Sequence, residues 1–377
     1  MKKTWVALAI AGAFAAGAAQ AQSSVTLYGI LDVNYMWQEL PTNVGTATLP
    51  RIQQESWSAI NSGHQYGNRW GLRGSEDLGG GLKAIFQLES GFNLDSGTSA
   101  QGGRLFGRQA YAGLSSGFGS LVAGRIATFS SGTGAFDMIS PVDPFGTGFG
   151  LASMGNTFIS ANSLRVDNAL AYVSPKFAGF QGGIAYSTQI SGAEVGPSNA
   201  NVSAFASGIN WSYGPFYAVV TYDQVNNVGS APDQKHLQIG GVWTIGPFKL
   251  HAAYADQTNI GTLPAPGIGT GTFVTLPTGL QNFDNTAYML GATWNVGAFS
   301  LFGSYQASNA DGKPVACTST GCVNFEPDYN IWAIGGTYAL SARTNLYTSY
   351  AQRNADGTLQ NDSFNGKQFA AGVVHKF

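Results

Sequence analysis

The chain has 377 residues, of which 10% are charged, 12% are aromatic and 52 are glycine, and its mean hydropathy is −0.01. Its formal charge of −2 offers no excess of positive charge to the phosphates of nucleic acid, so we expect no nucleic-acid partner. A soluble chain of this length would normally divide into about two or three domains. No linker, charge run or change of composition separates one part from another, so we expect one domain over residues 22–377.

The N-terminal residues have the features of a secretory signal peptide. Lys2 and Lys3 precede an apolar run over residues 5–19, and the small-residue pattern Ala-Gln-Ala follows at 19–21. We therefore expect a signal peptide over residues 1–21 that is cleaved after its last residue. Elsewhere no stretch approaches the ~20 apolar residues that a transmembrane helix needs. Without Lys2 and Lys3, 16 basic and 20 acidic residues remain, a formal charge of about −4.

From residue 177 onward, alternate residues are apolar, which is the pattern of strands that have one face in an apolar environment. The apolar positions of four segments begin with Phe and end with Tyr: Phe180, Gly182, Ile184 and Tyr186; Phe216, Ala218, Val220 and Tyr222; Phe248, Leu250, Ala252 and Tyr254; and Phe299, Leu301, Gly303 and Tyr305. In a tilted strand the two rings lie roughly 15 Å apart in height, which approaches the ~25 Å apolar band of an outer-membrane barrel. A soluble β-sandwich would not require aromatic residues at both ends of successive strands.

The same test predicts an all-β protein, a transmembrane β-barrel of sixteen antiparallel strands. Their expected ranges are 24–38, 66–77, 81–92, 103–114, 118–127, 164–175, 177–188, 202–213, 215–225, 234–246, 248–257, 284–296, 298–307, 329–341, 343–353 and 366–377. Short turns alternate with long polar loops, as in barrels with tight periplasmic turns and longer external loops. An even number of strands places both ends of the chain in the periplasm, and closure removes unpaired sheet edges.

Several motifs, spread over the whole mature chain, resemble the general porins of Gram-negative outer membranes, in particular the trimeric sixteen-stranded group of β-proteobacteria and Neisseria. They are SVTLYG at 24–29, WGLRGSEDLG at 70–79, RQAYAGL at 108–114, RVDNALAYVSP at 165–175 and the terminal Phe377. The resemblance implies a water-filled channel for passive diffusion of ions and small hydrophilic solutes, without a cofactor. It also implies a homotrimer, contact with outer-membrane lipid and lipopolysaccharide, and recognition of the C-terminal strand by the barrel-assembly machinery.

The early strands carry glycines among polar neighbours, and small residues allow close packing against protein. These glycines are Gly29, Gly71, Gly74, Gly107 and Gly113. We interpret the outer surface that they form as the trimer contact.

Basic residues recur at positions that should face the lumen. They are Arg69, Arg73, Lys83, Arg104, Arg108 and Arg165, with Arg125 at the start of the third loop. An Arg that faced lipid near the midplane would cost roughly 2–4 kcal/mol. An ordinary polar lining, in which these residues pair with Asp32, Glu76, Glu89 and Asp167, is the alternative interpretation.

The third loop, residues 126–163, is the longest connection. The resemblance implies that this loop folds into the barrel and narrows it, with Asp137 and Asp143 facing the basic residues. We therefore predict a constriction with weak anion selectivity. Its expected residues are Arg73, Lys83, Arg104, Arg108, Arg125, Arg165, Asp137 and Asp143.

The two cysteines, Cys317 and Cys322, lie in a polar stretch between two strands. In an exported protein we expect them to form a disulfide that closes a short external loop. A metal site would need two further ligands, and no histidine lies close in sequence.

We expect no enzymatic activity. His64, His236, His251 and His375 lie apart in sequence, without the spacing of a zinc protease or a nucleophile elbow. An outer-membrane hydrolase that uses His251 or His236 as its base remains an alternative, as do a substrate-specific channel and an adhesin-type barrel. Aromatic residues in the lumen would favour a sugar-specific channel, but Tyr28 and Tyr217 are scattered.

Overall fold

The computed structural model describes residues 23–43, 52–158, 165–229, 232–260, 262–264, 273–275, 283–311, 315–318, 321–324, 328–355, 358–359, 362–363 and 365–377. The signal peptide expected over residues 1–21 lies outside this part. The strands are β1 (Ser24–Asn43), β2 (Ile52–Ser62), β3 (Arg69–Gly79), β4 (Leu82–Gly91), β5 (Gln109–Ser116), β6 (Gly119–Ala127), β7 (Arg165–Val173), β8 (Phe180–Ser187), β9 (Ser203–Tyr213), β10 (Phe216–Asn226), β11 (Gln234–Ile245), β12 (Phe248–Ile260), β13 (Thr262–Pro264), β14 (Phe273–Thr275), β15 (Phe283–Val296), β16 (Phe299–Asp311), β17 (Val315–Thr318), β18 (Gly321–Asn324), β19 (Tyr329–Ala339), β20 (Thr344–Ala355), β21 (Thr358–Leu359), β22 (Asp362–Ser363) and β23 (Gly366–Lys376). Short 3-10 helices lie at Gln101–Gly103, Ser140–Val142, Gly150–Ala152, Met154–Asn156 and Ser198–Ala200. None of the described helices is long and apolar enough to cross a membrane.

The wall is a closed antiparallel sheet. Strand β1 pairs with β23 from Ile30 opposite Lys376 to Glu39 opposite Lys367, which closes the barrel. On its other edge β1 pairs first with β3 and then, beyond Val33, with β2. Since β2 and β3 share one position beside β1, the seventeen strands of this sheet occupy sixteen positions.

The predicted sixteen-stranded barrel is confirmed, and each predicted range corresponds to one wall strand. Strand β2 (Ile52–Ser62) lies outside all of the predicted ranges. It extends the pairing of β1 to Asn43, five residues past the predicted end at 38. The pairs β13–β14, β17–β18 and β21–β22 form separate two-stranded sheets in the long connections.

The two faces of the wall differ as the alternation predicts. Leu290 is 62% exposed on the outer face, whereas its neighbour Met289 is fully buried on the inner face. Outward rings pair across neighbouring strands near the short turns, as Phe248 does with Trp294 at 6.0 Å between centroids. Near the other end, Trp332 and Tyr350 pair at 5.3 Å. Rings at both levels fit the two interfaces of a membrane.

Much of the inner face is lined by small side chains, and residues 128–158, called here the loop segment, pack against it. Phe129, Met154 and Phe158 of this segment are at most 1% exposed, which favours the packed position by about 1.5–3 kcal/mol for each side chain. Glycine is required where the approach is closest. A Cβ atom on Gly183 of β8 would overlap the Phe129 ring, and one on Gly240 of β11 would lie 2.8 Å from Val142.

Polar side chains of the inner face also bind the loop segment. The Gln306 amide donates to the Ala152 carbonyl at 2.7 Å, and its oxygen accepts from Thr157 at 2.8 Å. On β23, the Gln368 oxygen accepts from the Leu151 N–H at 2.7 Å. The bonds to Ala152 and Leu151 satisfy backbone groups that would otherwise be buried without partners.

Candidate functional site

A group of basic side chains lies on the inner face of β3 to β7 and in the connection before β5. The register places Arg69 and Arg73 on the same face as Tyr28, because Ile30 is opposite Arg69 and Thr26 is opposite Arg73. This group, called here the basic face, comprises Arg69, Arg73, Lys83, Arg104, Arg108, Arg125 and Arg165.

Glu89 of β4 is shared by two of these arginines. Its Oε1 atom lies 2.7 Å from Arg108 Nε and 3.9 Å from Arg69 Nη1, and its Oε2 atom accepts from the Tyr28 hydroxyl at 2.8 Å. Arg108 also donates to Thr133 at 2.9 Å, a direct contact with the loop segment.

Asp167 of β7 is shared by two others. Arg104 Nη1 donates to both of its oxygens, at 2.9 and 2.7 Å, and Arg125 Nη1 lies 2.5 Å away. The Gly192 N–H donates to the same carboxylate at 2.8 Å. The structure therefore brings Arg104 and Arg125 together, as one pair around one acid.

The remaining cations have no carboxylate partner among the described residues. Arg73 is exposed and lies over the Tyr28 ring at 5.3 Å from its centroid, a cation–π contact. Lys83 is exposed, and Arg165 at the start of β7 is half-buried. Arg69 belongs to the same group of basic residues through its contact with Glu89. The alternation places Arg69 in the lumen, although it is not among the predicted constriction residues.

The predicted acceptors of the basic residues are partly present. Glu89 and Asp167 pair with arginines, whereas none of the ion pairs found among the described residues joins Asp32 or Glu76 to the basic face. Seven cations and three carboxylates leave an excess of four positive charges on this face, the third carboxylate being that of Asp77, which lies opposite Lys83 in the register of β3 and β4. In a narrow channel with walls of low dielectric constant, such an excess attracts anions.

The two loop acids differ from the expectation that they face the basic residues. Asp143 is 3% exposed, and its carboxylate accepts from the N–H groups of Phe145, Thr147 and Met154 at 2.9–3.0 Å. Asp137 likewise accepts from backbone N–H groups, those of Gly132, Ile139 and Ser140. Both carboxylates therefore organise the loop, because backbone N–H groups outside regular strands and helices need other acceptors.

Burial raises the pKa of both loop acids. The backbone N–H groups around Asp137 and Asp143 lower the pKa, but loss of water outweighs them, and each pKa rises to about 6. The charge of these two residues of the predicted constriction therefore changes near neutral pH.

The four histidines lie at separate places. His251 contacts the Val142 carbonyl and Thr293, His64 contacts Ser349, and His375 contacts Thr344 on the outer face. His236 is opposite Asp223 in the register of β10 and β11. The Ser130 hydroxyl donates to Asp223.

Comparison with known proteins gives one consistent result. The profile of the Gram-negative porins matches residues 6–358. An outer membrane porin protein of Bordetella pertussis is 38% identical over 94% of this chain and 95% of its own length. Outer membrane porin protein 32 of Delftia acidovorans is 38% identical over 49% of each chain.

Solved structures agree on the fold. The anion-selective porin from Comamonas acidovorans superimposes with a TM-score of 0.71 at 24% identity, over 94% of this chain and 100% of that one. The trimer form of OmpT from Vibrio cholerae has a TM-score of 0.57 at 15% identity, over 94% of this chain and 99% of that one. With its closed barrel and the matched profile, this chain belongs to the Gram-negative porin family and is an outer-membrane porin, a channel for passive diffusion.

Proposed function

We propose that this porin is a weakly anion-selective general diffusion channel. The excess of four positive charges on the basic face is the observation that carries the proposal. Charges at a narrow point outweigh distant ones, which salt screens beyond about 8–10 Å, so the net charge of the whole chain matters less. The similar porin from Comamonas acidovorans is described as anion-selective, which supports the proposal.

The test is the reversal potential of purified protein in a planar bilayer with a potassium chloride gradient. A potential displaced toward the chloride equilibrium value supports the proposal, and one displaced toward the potassium value contradicts it. A substrate-specific channel would instead show conductance that one solute blocks at low concentration.

The narrow point is proposed to lie between the basic face and the loop segment. The bond from Arg108 to Thr133 supports this, together with the packing of the loop segment on the inner wall. Water in such a constriction is ordered by the nearby charges, which favours small polar solutes.

We propose a homotrimer, but the surface feature that supports it is not the set of outward glycines expected from the sequence. Gly71 and Gly113 face the lumen, since they pair in register with Tyr28 and with Ile85 and Val122. On the outer face, rings of neighbouring strands pair from β8 onward, and Trp70 of β3 pairs with Phe106 of the following connection. Between them, β4 to β6 carry mainly small and aliphatic side chains. A gap in the aromatic ring fits contact with protein, and the trimer form of OmpT supports this assembly.

The remaining partners follow from the outer surface and the C-terminus. The aromatic rings are proposed to contact outer-membrane lipid and lipopolysaccharide. Phe377 pairs with Gly29 through two backbone hydrogen bonds of 3.1 Å, so the end of the chain completes the wall. Recognition of this end by the barrel-assembly machinery is proposed on the family resemblance.

We propose no hydrolase activity. The separate positions of the four histidines and the match to the porin profile support this. Release of fatty acid or peptide by purified protein, lost on changing His236 or His251 to Ala, would contradict it.

A further inference from the structure

Residues 63–68, which connect β2 to β3 and are called here the inner turn, lie inside the barrel. His64 Nε2 is 2.9 Å from Ser349 Oγ, and the His64 ring stacks on Tyr347 at 5.9 Å. Gln65 Oε1 accepts from the Asn345 amide at 2.8 Å. Asn345, Tyr347 and Ser349 alternate along β20 on its inner face, so the inner turn crosses from β1 to β20.

Asp32 of β1 anchors the inner turn. Its carboxylate accepts from the Tyr66 N–H at 2.7 Å and from the Tyr347 hydroxyl at 2.6 Å. Its carbonyl accepts from the Gly63 N–H and the Asn68 amide, both at 3.0 Å. Asp32 is 0% exposed, and a buried carboxylate is tolerated only where such donors surround it.

One side of the inner turn contacts the loop segment. The Phe149 N–H donates to the His64 carbonyl at 2.5 Å, and the two rings meet edge to face at 5.8 Å. A Cβ atom on Gly148 would overlap the Gln65 carbonyl. The two backbones therefore approach each other as closely as glycine allows.

The other side of the inner turn contacts the basic face. Arg69 Nε donates to the Gly67 carbonyl at 2.9 Å. A Cβ atom on Gly67 would lie 3.2 Å from Arg108 Nη1. One short turn thus touches the wall, the loop segment and two of the arginines.

We propose that the inner turn is a second constriction element, which holds the loop segment in place and positions Arg69 and Arg108. The part of this inference that concerns ion selectivity rests on the proposed channel function. Asp32 and Tyr347 act as positioning residues, since they reach the permeating ion only through the inner turn.

Two pairs of variants test the proposal by single-channel recording. Tyr347→Phe removes the hydroxyl bonded to Asp32 and keeps the stacked ring, whereas Tyr350→Phe removes an outward hydroxyl from the same strand. Gly148→Ala forces the inner turn and the loop segment apart, whereas Gly117→Ala adds the same methyl group where no atom lies within 4 Å.

Tyr347→Phe and Gly148→Ala should increase the open-channel current noise. They should also change the conductance and the chloride preference on the order of twofold. The two control variants should match the wild type in all three measurements. Folding is checked by the shift in electrophoretic mobility on heating. Folded variants with unchanged noise, conductance and reversal potential would overturn the proposal. If the wild type is not anion-selective, the proposed function is wrong. The current noise and the conductance of the variants then still test whether the inner turn is a constriction element.

Discussion

Arg108 Nε lies 2.7 Å from Glu89 Oε1, and the two side chains are only 6% and 5% exposed. Removing one partner of such a buried pair leaves an uncompensated charge, which costs about 3–5 kcal/mol in soluble proteins. Glu89 therefore has two roles: it stabilises the wall at Arg69 and Arg108, and it reduces the positive charge of the basic face.

Glu89→Gln should lower the thermal stability of the barrel and increase its preference for chloride, because two arginines lose their counter-charge. Glu76→Gln, which changes an exposed acid in β3, is the matched control and should leave stability unchanged. Heating curves and reversal potentials measure the two effects. An unchanged chloride preference would show that Glu89 does not act on the permeating ions.

Lowering the pH from about 7.5 to about 5 should increase chloride preference. The pKa of Asp137 is raised to about 6, so its negative charge is lost within this interval. The pKa of Asp137 is higher in the folded protein than its ordinary value of 3.8, so protonation of Asp137 also favours the folded loop. This contribution to the folding stability increases as the pH falls toward 3.8. Asp137→Asn should show a smaller change in reversal potential between the two pH values, and an equal change would assign the effect to other acids.

Gly183→Ala should reduce the conductance. The added methyl group overlaps the Phe129 ring and displaces the loop segment from the wall toward the lumen, at a cost of about 1–3 kcal/mol. Gly182→Ala is the control, because its Cβ atom meets only the Gly208 carbonyl at 3.7 Å. Equal conductance of both variants would mean that the loop segment does not limit the pore.

Cys317 and Cys322 should be found joined in protein extracted from the outer membrane. They are directly opposite each other in the pairing of β17 with β18, which supports the predicted disulfide. Alkylation before and after reduction, followed by mass measurement, tests the bond. Two thiols that react without reduction would contradict it, and replacing both by Ser should leave assembly intact because the closed loop is short.

The wall could be predicted because lipid on one side forces every second residue to be apolar. This made even the less regular early strands recognisable, although the segment expected at 103–114 became Gln109–Ser116. The same parity placed Arg73 in the lumen. Arg108 instead enters the lumen from the connection before β5, whose inward positions are odd-numbered, and its pairing with Glu89 was among the alternatives. What alternation cannot show is where a loop folds. Asp143 turned inward because its own loop supplied three N–H groups.

The inner turn was not predictable for the same reason. Its six residues have no periodicity, and its position depends on contacts with Asp32 and Tyr347, which are distant in sequence. The expectation that Gly71 and Gly113 lie on the outer surface is wrong, because the register turns both toward the lumen. For Gly71 the alternation itself indicates the lumen, since Arg69 and Arg73 lie two residues away on either side.

Cations of the basic face are proposed to set the ion preference of the channel. The most direct test is the reversal potential of the wild type and of the double variant Arg73→Ser, Arg108→Ser in one potassium chloride gradient. We expect chloride preference in the wild type and a shift toward potassium in the variant, because two positive charges are lost. Identical reversal potentials for the two folded proteins would contradict the claim.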